Sequence, residues 1–386
     1  MNGLLSPGAF AASAAPFAEL QVGAHRLALL KDGAQAYPAM LAAIEGARRS
    51  ICFETFIFRS DRAGTWFAEA LAARARAGVE VSFLYDAWGS SIAGSTLDLL
   101  HAAGVRTLAF RPLRFFGRSR AFVERMIRRD HKKTLVVDSR VGFTGGINVC
   151  DDYMPEVGLG WRDTHMRLEG PAALDLERFF LRTWRRAGGA PFEPSLHPDR
   201  ERLADTQVSI LTSDRRRGRS SIREAYRRAF AQAREQILVT NAYFLPEVRL
   251  LQALVGAARR GVDVRVMVPG TSDVPTMIYA SRAIYGVLLE AGVRMFEWKG
   301  RVLHAKTAVI DGRWSTVGSS NLDQQSLRNN LEANAIIHDA GFARALIAMF
   351  DDDLGHCEEI DRDRWQRRGA VEKTISWGAY LLRKWL

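Results

Sequence analysis

The sequence predicts an α/β protein of two pseudo-symmetric halves, each a mixed β-sheet flanked by helices, with one active site at the interface between them. Three observations carry this. Helical patterns alternate with short β-branched runs, as in sheets covered on both faces. The chain has 386 residues, 47% of them hydrophobic, which exceeds the usual size of a single core. The segment His131 to Asp138 recurs 173 positions later as His304 to Asp311, both following H-x-K-x-x-x-x-D. Gly145 and Asn148 keep that offset from Gly318 and Asn321. One such cluster is within reach of chance. Two in register mean a duplicated chain, each copy supplying half of a site.

The elements match in order. In the first half a helical pattern over Pro38 to Arg48 leads into an apolar strand, Ile51 to Ile57; in the second, Ile222 to Arg234 leads into Ile237 to Tyr243. A second helix and strand follow, Trp66 to Ala77 then Gly78 to Asp86, matched by Leu250 to Arg260 then Gly261 to Val268. The glycine at each junction stops a helix, and the β-branched run after it is a strand. Ala103 to Arg106 and Ala291 to Arg294 are a third match. The expected organisation is a flexible N-terminus at 1–20, a first domain at 21–188, a linker at 189–206 rich in glycine and proline, a second domain at 207–362 and a C-terminal amphipathic helix at 363–386. Gly78 and Gly261 stand 183 apart, so the first half carries extra residues ahead of its motif. They fall in Arg111 to Arg129, where arginines interleave with Phe115, Phe116, Phe122 and Met126, read as a cationic flap beside the site.

Composition narrows the partners. With 54 Lys and Arg against 43 Asp and Glu the net charge is +11, which favours a polyanion, either nucleic acid or an anionic membrane surface. Three cysteines, Cys52, Cys150 and Cys357, have no C-x-x-C spacing and read as structural thiols of a reducing compartment. No apolar run reaches the roughly 18 to 20 residues of a spanning helix, and the N-terminus lacks the signal-peptide pattern. The expectation is a soluble or peripheral protein facing the cytoplasm.

The motifs carry the chemistry. In a strand, residues two apart share a face, so His131 points with Lys133, and His304 with Lys306, while Lys132 points away. A neutral imidazole can attack phosphorus, forming a phosphohistidine that splits one displacement into two. A second, protonated imidazole can donate to the leaving alkoxide and later deprotonate the incoming hydroxyl. Lys133 and Lys306 would hold the non-bridging oxygens, so neither a metal nor a cofactor is expected. Asn148 and Asn321 follow glycine-rich turns and offer amide donors to the same oxygens. Each histidine also needs an acceptor on its second nitrogen. Glu332 is the candidate for His304, and Asp163 for His131, unless Asp163 merely pairs with Arg162. Asp138 and Asp311 complete the motifs but fall off the catalytic face, and read as ties for the following turn. The other histidines have no matching partner and read as ordinary.

These residues closely resemble the phospholipase D superfamily, whose signature is H-x-K-x4-D followed by a glycine-rich turn and Asn, here present twice over roughly Ala24 to Leu354. Within it the chain looks like bacterial cardiolipin synthases of the short branch without N-terminal membrane helices, through Tyr85 to Ser90, Phe143 to Asn148, Trp161 to Pro171, Val317 to Asp323 and Asn330 to Asn334. The resemblance implies transfer of a phosphatidyl group between two phosphatidylglycerol molecules with release of glycerol, His131 as nucleophile and His304 as acid and base. It implies an anionic phospholipid membrane as partner, disfavours nucleic acid and points to no obligate protein partner. A hydrolase or nuclease of the same superfamily is the alternative. With no N-terminal helices, membrane contact falls to the C-terminal helix, through Trp377, Tyr380, Arg383, Lys384 and Trp385, peripherally on the cytoplasmic side of the inner membrane.

Overall fold

The structure, a computed structural model, describes residues 15–112, 128–154, 160–192, 207–213 and 221–381. The chain divides into two compact units, the first Met1–Gly160 with His165–Ile210, the second Trp161–Thr164 with Leu211–Leu386. Four residues of first-half sequence thus belong to the second unit. The predicted flexible N-terminus up to residue 14, most of the cationic flap (113–127) and linker residues 193–206 lie outside the described residues.

The first unit opens with the hairpin β1 (Ala18–Val22) and β2 (His25–Lys31). It continues through α1 (Asp32–Glu45), β3 (Ser50–Thr55), α2 (Arg62–Arg76), β4 (Glu80–Asp86), α3 (Gly94–Ala102) and β5 (Arg106–Phe110). The strands β6 (Thr134–Val137), β7 (Val141–Gly145) and β8 (Thr164–Glu169) precede α4 (Ala172–Arg186). The sheet order is β1-β2-β8-β7-β6-β3-β4-β5. β3, β4 and β5 run parallel, while β3, β6, β7 and β8 alternate antiparallel.

The second unit repeats the plan with β9 (Val208–Thr212), α5 (Ser221–Gln232), β10 (Gln236–Asn241), α6 (Val248–Arg259), β11 (Asp263–Pro269), α7 (Pro275–Glu290) and β12 (Arg294–Trp298). Then come β13 (Lys306–Ile310), β14 (Trp314–Gly318), α8 (Gln324–Arg328), β15 (Ala333–His338), α9 (Ala340–Leu354), β16 (Cys357–Glu359), α10 (Arg362–Gln366) and α11 (Ala370–Leu381). Its order is β16-β12-β11-β10-β13-β14-β15-β9. The six strands β5-β4-β3-β6-β7-β8 therefore correspond to β12-β11-β10-β13-β14-β15, with the same directions. The units differ at their edges, where β1 extends one sheet and β16 the other.

Matching sequence makes matching turns. Gly78 (φ 87°) and Gly261 (φ 90°) end their helices in the left-handed region, which costs glycine little. The next residue reaches back across the last turn, Val79 N to Arg74 O at 3.0 Å and Val262 N to Ala257 O at 3.2 Å, so the chain drops straight into β4 and β11. Every residue of β3 and of β13 is buried, as a central strand covered on both faces requires. Phe53 on β3 stacks between Phe67 and Phe83, and Val239, Val264, Leu254 and Leu288 anchor the second core.

The predicted C-terminal helix is two helices. It breaks between Gln366 and Ala370, around Gly369, and α11 lies along α7. Val371, Ile375, Trp377 and Leu381 face outward, Trp377 59% exposed. Tyr380 corrects the expectation: its ring packs against the core of the second unit rather than standing clear of it. Arg383, Lys384 and Trp385 lie outside the described residues.

Candidate active site

In the second unit His304 sits two residues ahead of β13, buried, with its backbone already fixed: its N–H donates to the carbonyl of Arg162 at 2.7 Å. Leu303 bridges Arg162 as well. The imidazole Nδ1 meets Asp163 Oδ2 at 2.6 Å, and the other carboxylate oxygen accepts the Thr164 N–H at 2.7 Å. Burial would raise the Asp163 carboxyl, but Lys306 and His304 beside it hold it below its ordinary value, so it stays ionised. An ionised Asp163 accepts a hydrogen bond from Nδ1–H, which leaves the lone pair on Nε2. Burial, seconded by Lys306 and opposed by Asp163, holds His304 below its ordinary value, so the free imidazole is neutral near pH 7.

Lys306, wholly buried, donates through Nζ to the carbonyl oxygen of His304. Burial pulls its ammonium down to about 8, against Asp163, Asp273 and Glu332, which favour the charge. Trp161 and Tyr243 complete the ring wall around His304, with centroids at 5.4 and 6.2 Å.

Here the structure corrects two expectations. Asp163 holds His304, not His131, and Glu332 is not the acceptor on His304 Nδ1. The Glu332 carboxylate takes the Ser319 hydroxyl, and its N–H donates to Ser213 Oγ at 2.8 Å. Register explains the error. Gly145 pairs with His165 and Gly318 with Asn334, so Asp163 and Glu332 stand at equivalent places, each two residues earlier. Asp163, however, lies on the short segment that leaves the first unit for the second. Arg162 pins that segment by a buried fork onto Asp353, Nε to Oδ1 at 2.9 Å and Nη2 to Oδ2 at 2.6 Å. The alternative ion pair of Arg162 with the Asp163 carboxylate gives way to this one.

The first unit repeats the core of the arrangement. His131 precedes β6, is 7% exposed, and its carbonyl accepts from Lys133 Nζ at 2.7 Å. Phe56 stands edge-on to His131 at 4.9 Å, with Lys133 Nζ 5.2 Å from its ring centre. Lys132 points the other way, into a buried cluster: Glu54 at 2.6 Å, Thr183 at 2.7 Å and Asp130 at 3.4 Å. Burial works against its charge, but Asp130 and Glu54 more than offset this and keep it protonated. Arg129, read with the cationic flap, is buried instead, its guanidinium on Asp86 at 2.6 Å.

The two motif asparagines differ. Asn148 Oδ1 accepts the Ile57 N–H and its amide donates to Tyr153, both at 3.1 Å, so part of its amide holds the turn instead of facing a phosphate. Asn321 Oδ1 is buried with no hydrogen-bond partner among the described residues. The motif aspartates act alike. Asp138 accepts the N–H groups of Arg48, Arg49 and Ser50, and Asp311 those of Arg234, Glu235 and Gln236, each bracing the junction ahead of β3 or β10. Among the described residues no group of three His, Cys, Asp or Glu side chains is placed to hold a metal ion.

Two equivalent mixed sheets, each with a His-x-Lys pair at the head of the same central strand, define the phospholipase D class. The family described as cardiolipin synthase, PLD-like domain, matches residues 226–354. Cardiolipin synthase B of Escherichia coli is 37% identical over 359 residues, covering 89% of this chain and 84% of its own. Cardiolipin synthase 2 of Bacillus anthracis is 33% identical over 356 residues, covering 90% of this chain and 68% of its own. Among solved structures, a phosphatidylserine synthase of Haemophilus influenzae shares the fold, with a TM-score of 0.71 at 13% identity over 95% of this chain and 94% of that one. This chain belongs to the cardiolipin synthase family and is an enzyme of the phospholipase D superfamily.

Proposed function

We propose that this enzyme moves a phosphatidyl group from one phosphatidylglycerol to a glycerol hydroxyl of another, releasing glycerol. The observation that carries the reading is the duplicated His-x-Lys pair at one strand position of two equivalent sheets, in a chain of this family. Nε2 of His131 attacks phosphorus as the bond to the glycerol oxygen breaks, and His304 protonates that oxygen. His304 then takes the proton of the incoming hydroxyl, whose oxygen displaces His131 from phosphorus. A bound phosphodiester brings negative charge beside His304, which offsets its burial and favours the imidazolium that the first step needs. Lys133, Lys306 and the amides of Asn148 and Asn321 hold the non-bridging oxygens through both steps. Asp163 keeps His304 in its tautomer.

The lipid is met peripherally on the cytoplasmic side, by the outward face of α11 with Val371, Ile375, Trp377 and Leu381. No described helix is long and apolar enough to cross a membrane. The basic charge favours a second reading, a nuclease, which the same assay can separate.

The test is lipid mass spectrometry after incubation with phosphatidylglycerol vesicles, run beside plasmid cleavage. Cardiolipin and free glycerol are expected; DNA cleavage without lipid product reverses the reading. Phosphatidyl-p-nitrophenol needs no acid to release its phenolate. The His304→Ala variant should therefore give one burst and a stalled adduct on His131, and an adduct on His304 in His131→Ala would exchange the two roles.

A further inference from the structure

One carboxylate near the second His-Lys pair has no part in the mechanism above. Asp273 lies in the turn between β11 and α7, exposed, and its charge favours the protonated forms of both His304 and Lys306. The hydroxyl of Tyr243 donates to its two oxygens at 2.8 and 2.7 Å, and Ser272 Oγ lies 3.1 Å from Oδ1. The Tyr243 ring in turn stands edge-on to His304, at 80°. Burial pushes the phenol well above its ordinary value, so it remains a donor.

A fixed negative charge beside a phosphate site works against an anionic substrate. It is useful there only when the substrate brings uncharged donors along with its phosphate. An ionised carboxylate has about four acceptor positions, and Tyr243 and Ser272 leave the solvent side of Asp273 open, with no ion pair to it among the described residues. Among the described residues the first unit has no counterpart to the phenol. The bridges Phe58 to Val149 and Phe244 to Leu322 place Ile57 where the second unit has Tyr243.

We infer that Asp273, held by Tyr243, is a binding site for the hydroxyl groups of a polyol headgroup beside His304. The inference rests on the phosphatidyl-transfer reading for its substrate, glycerol being the polyol. It adds that headgroup selection belongs to the second unit.

The experiment uses the full-length enzyme and release of p-nitrophenolate from phosphatidyl-p-nitrophenol, whose headgroup has no hydroxyl to bind. Glycerol phosphate and ethyl phosphate compete as inhibitors. A hydrogen bond to a charged group corresponds to roughly a 10- to 100-fold preference, so wild type should favour glycerol phosphate by about that factor. The ratio should collapse toward one in Asp273→Ala, and fall several-fold in Tyr243→Phe, whatever the change in uninhibited turnover. Equal inhibition by both in the wild type would sink the site. A parallel loss of uninhibited turnover with the ratio intact would make Asp273 a tuner of the His304 and Lys306 charges, which also overturns it. Failure of the transfer reading shows separately, as phosphatidylglycerol left unconverted while nitrophenolate is still released.

Discussion

The two units place the same His-x-Lys pair at the head of the same strand and differ in what lies behind it. In the first, the residue between the pair is Lys132, buried on Glu54; in the second it is Ala305, buried, with Thr240 at the register place of Glu54. One copy carries an ion pair under its motif and the other carries methyl groups. Both keep the His-Lys pair, and both lysines grip the carbonyl of their own histidine. The comparison separates what the chemistry demands from what each core happens to need. The His-Lys pair is the same in both units, and the side facing the helices is free to change so long as its polarity is matched from below.

The sharpest test of the comparison is at the carboxylate. Asp163→Asn removes the acceptor that fixes the His304 tautomer and should lower kcat by about a hundred- to ten-thousandfold, with little change in thermal unfolding. A loss below threefold in single-turnover measurements would mean that His304 is oriented by something else. Next comes the ion pair. Lys132→Ala leaves Glu54 buried and unpaired and should cost about 3–5 kcal/mol in urea unfolding. Copying the second unit with Glu54→Thr added should recover most of it. If the double variant is no more stable than the single one, the two cores are not interchangeable solutions.

The asparagines give a smaller effect. Asn148→Ala loses the bonds to Ile57 and Tyr153 and should destabilise by about 1–3 kcal/mol. Asn321→Ala should show less loss of stability than loss of kcat, and equal unfolding midpoints for the pair would contradict this.

The smallest effect is a pH limb. Lys306 loses its proton as pH rises through about 8, so kcat/KM should fall above that value as the grip on phosphate is lost. Lys306→Arg keeps its charge at every working pH, and should move the limb upward while lowering the plateau. A profile flat to pH 10 would show that Lys306 need not be charged.

Much of this was legible in the chain. The offset of 173 positions matched two motifs and two turns, and those turns fall at corresponding ends of β7 and β14. Gly78 and Gly261 stopped helices where the pattern said, because a left-handed residue after a helix is a local event. Asp138 and Asp311, off the catalytic face by their odd offset, bind backbone N–H groups at strand entrances. The partner of Asp163 was not legible. Its distance along the chain from His131 pointed to that histidine, yet its segment belongs to the other unit. Nor were Asp353, Tyr243 or Asp273, which carry no repeated pattern and meet the site only through folding.

By itself the sequence determined the duplication, the alternation of helix and strand, and the shared placement of the two His-Lys pairs, because these follow from local propensity and from spacing within one strand. The tertiary structure alone decided which carboxylate serves His304, which lysine is braced from below, and which ring of the last helix turns inward. Those are contacts between residues far apart in the chain, set by how whole elements pack, and no local pattern of side chains encodes them.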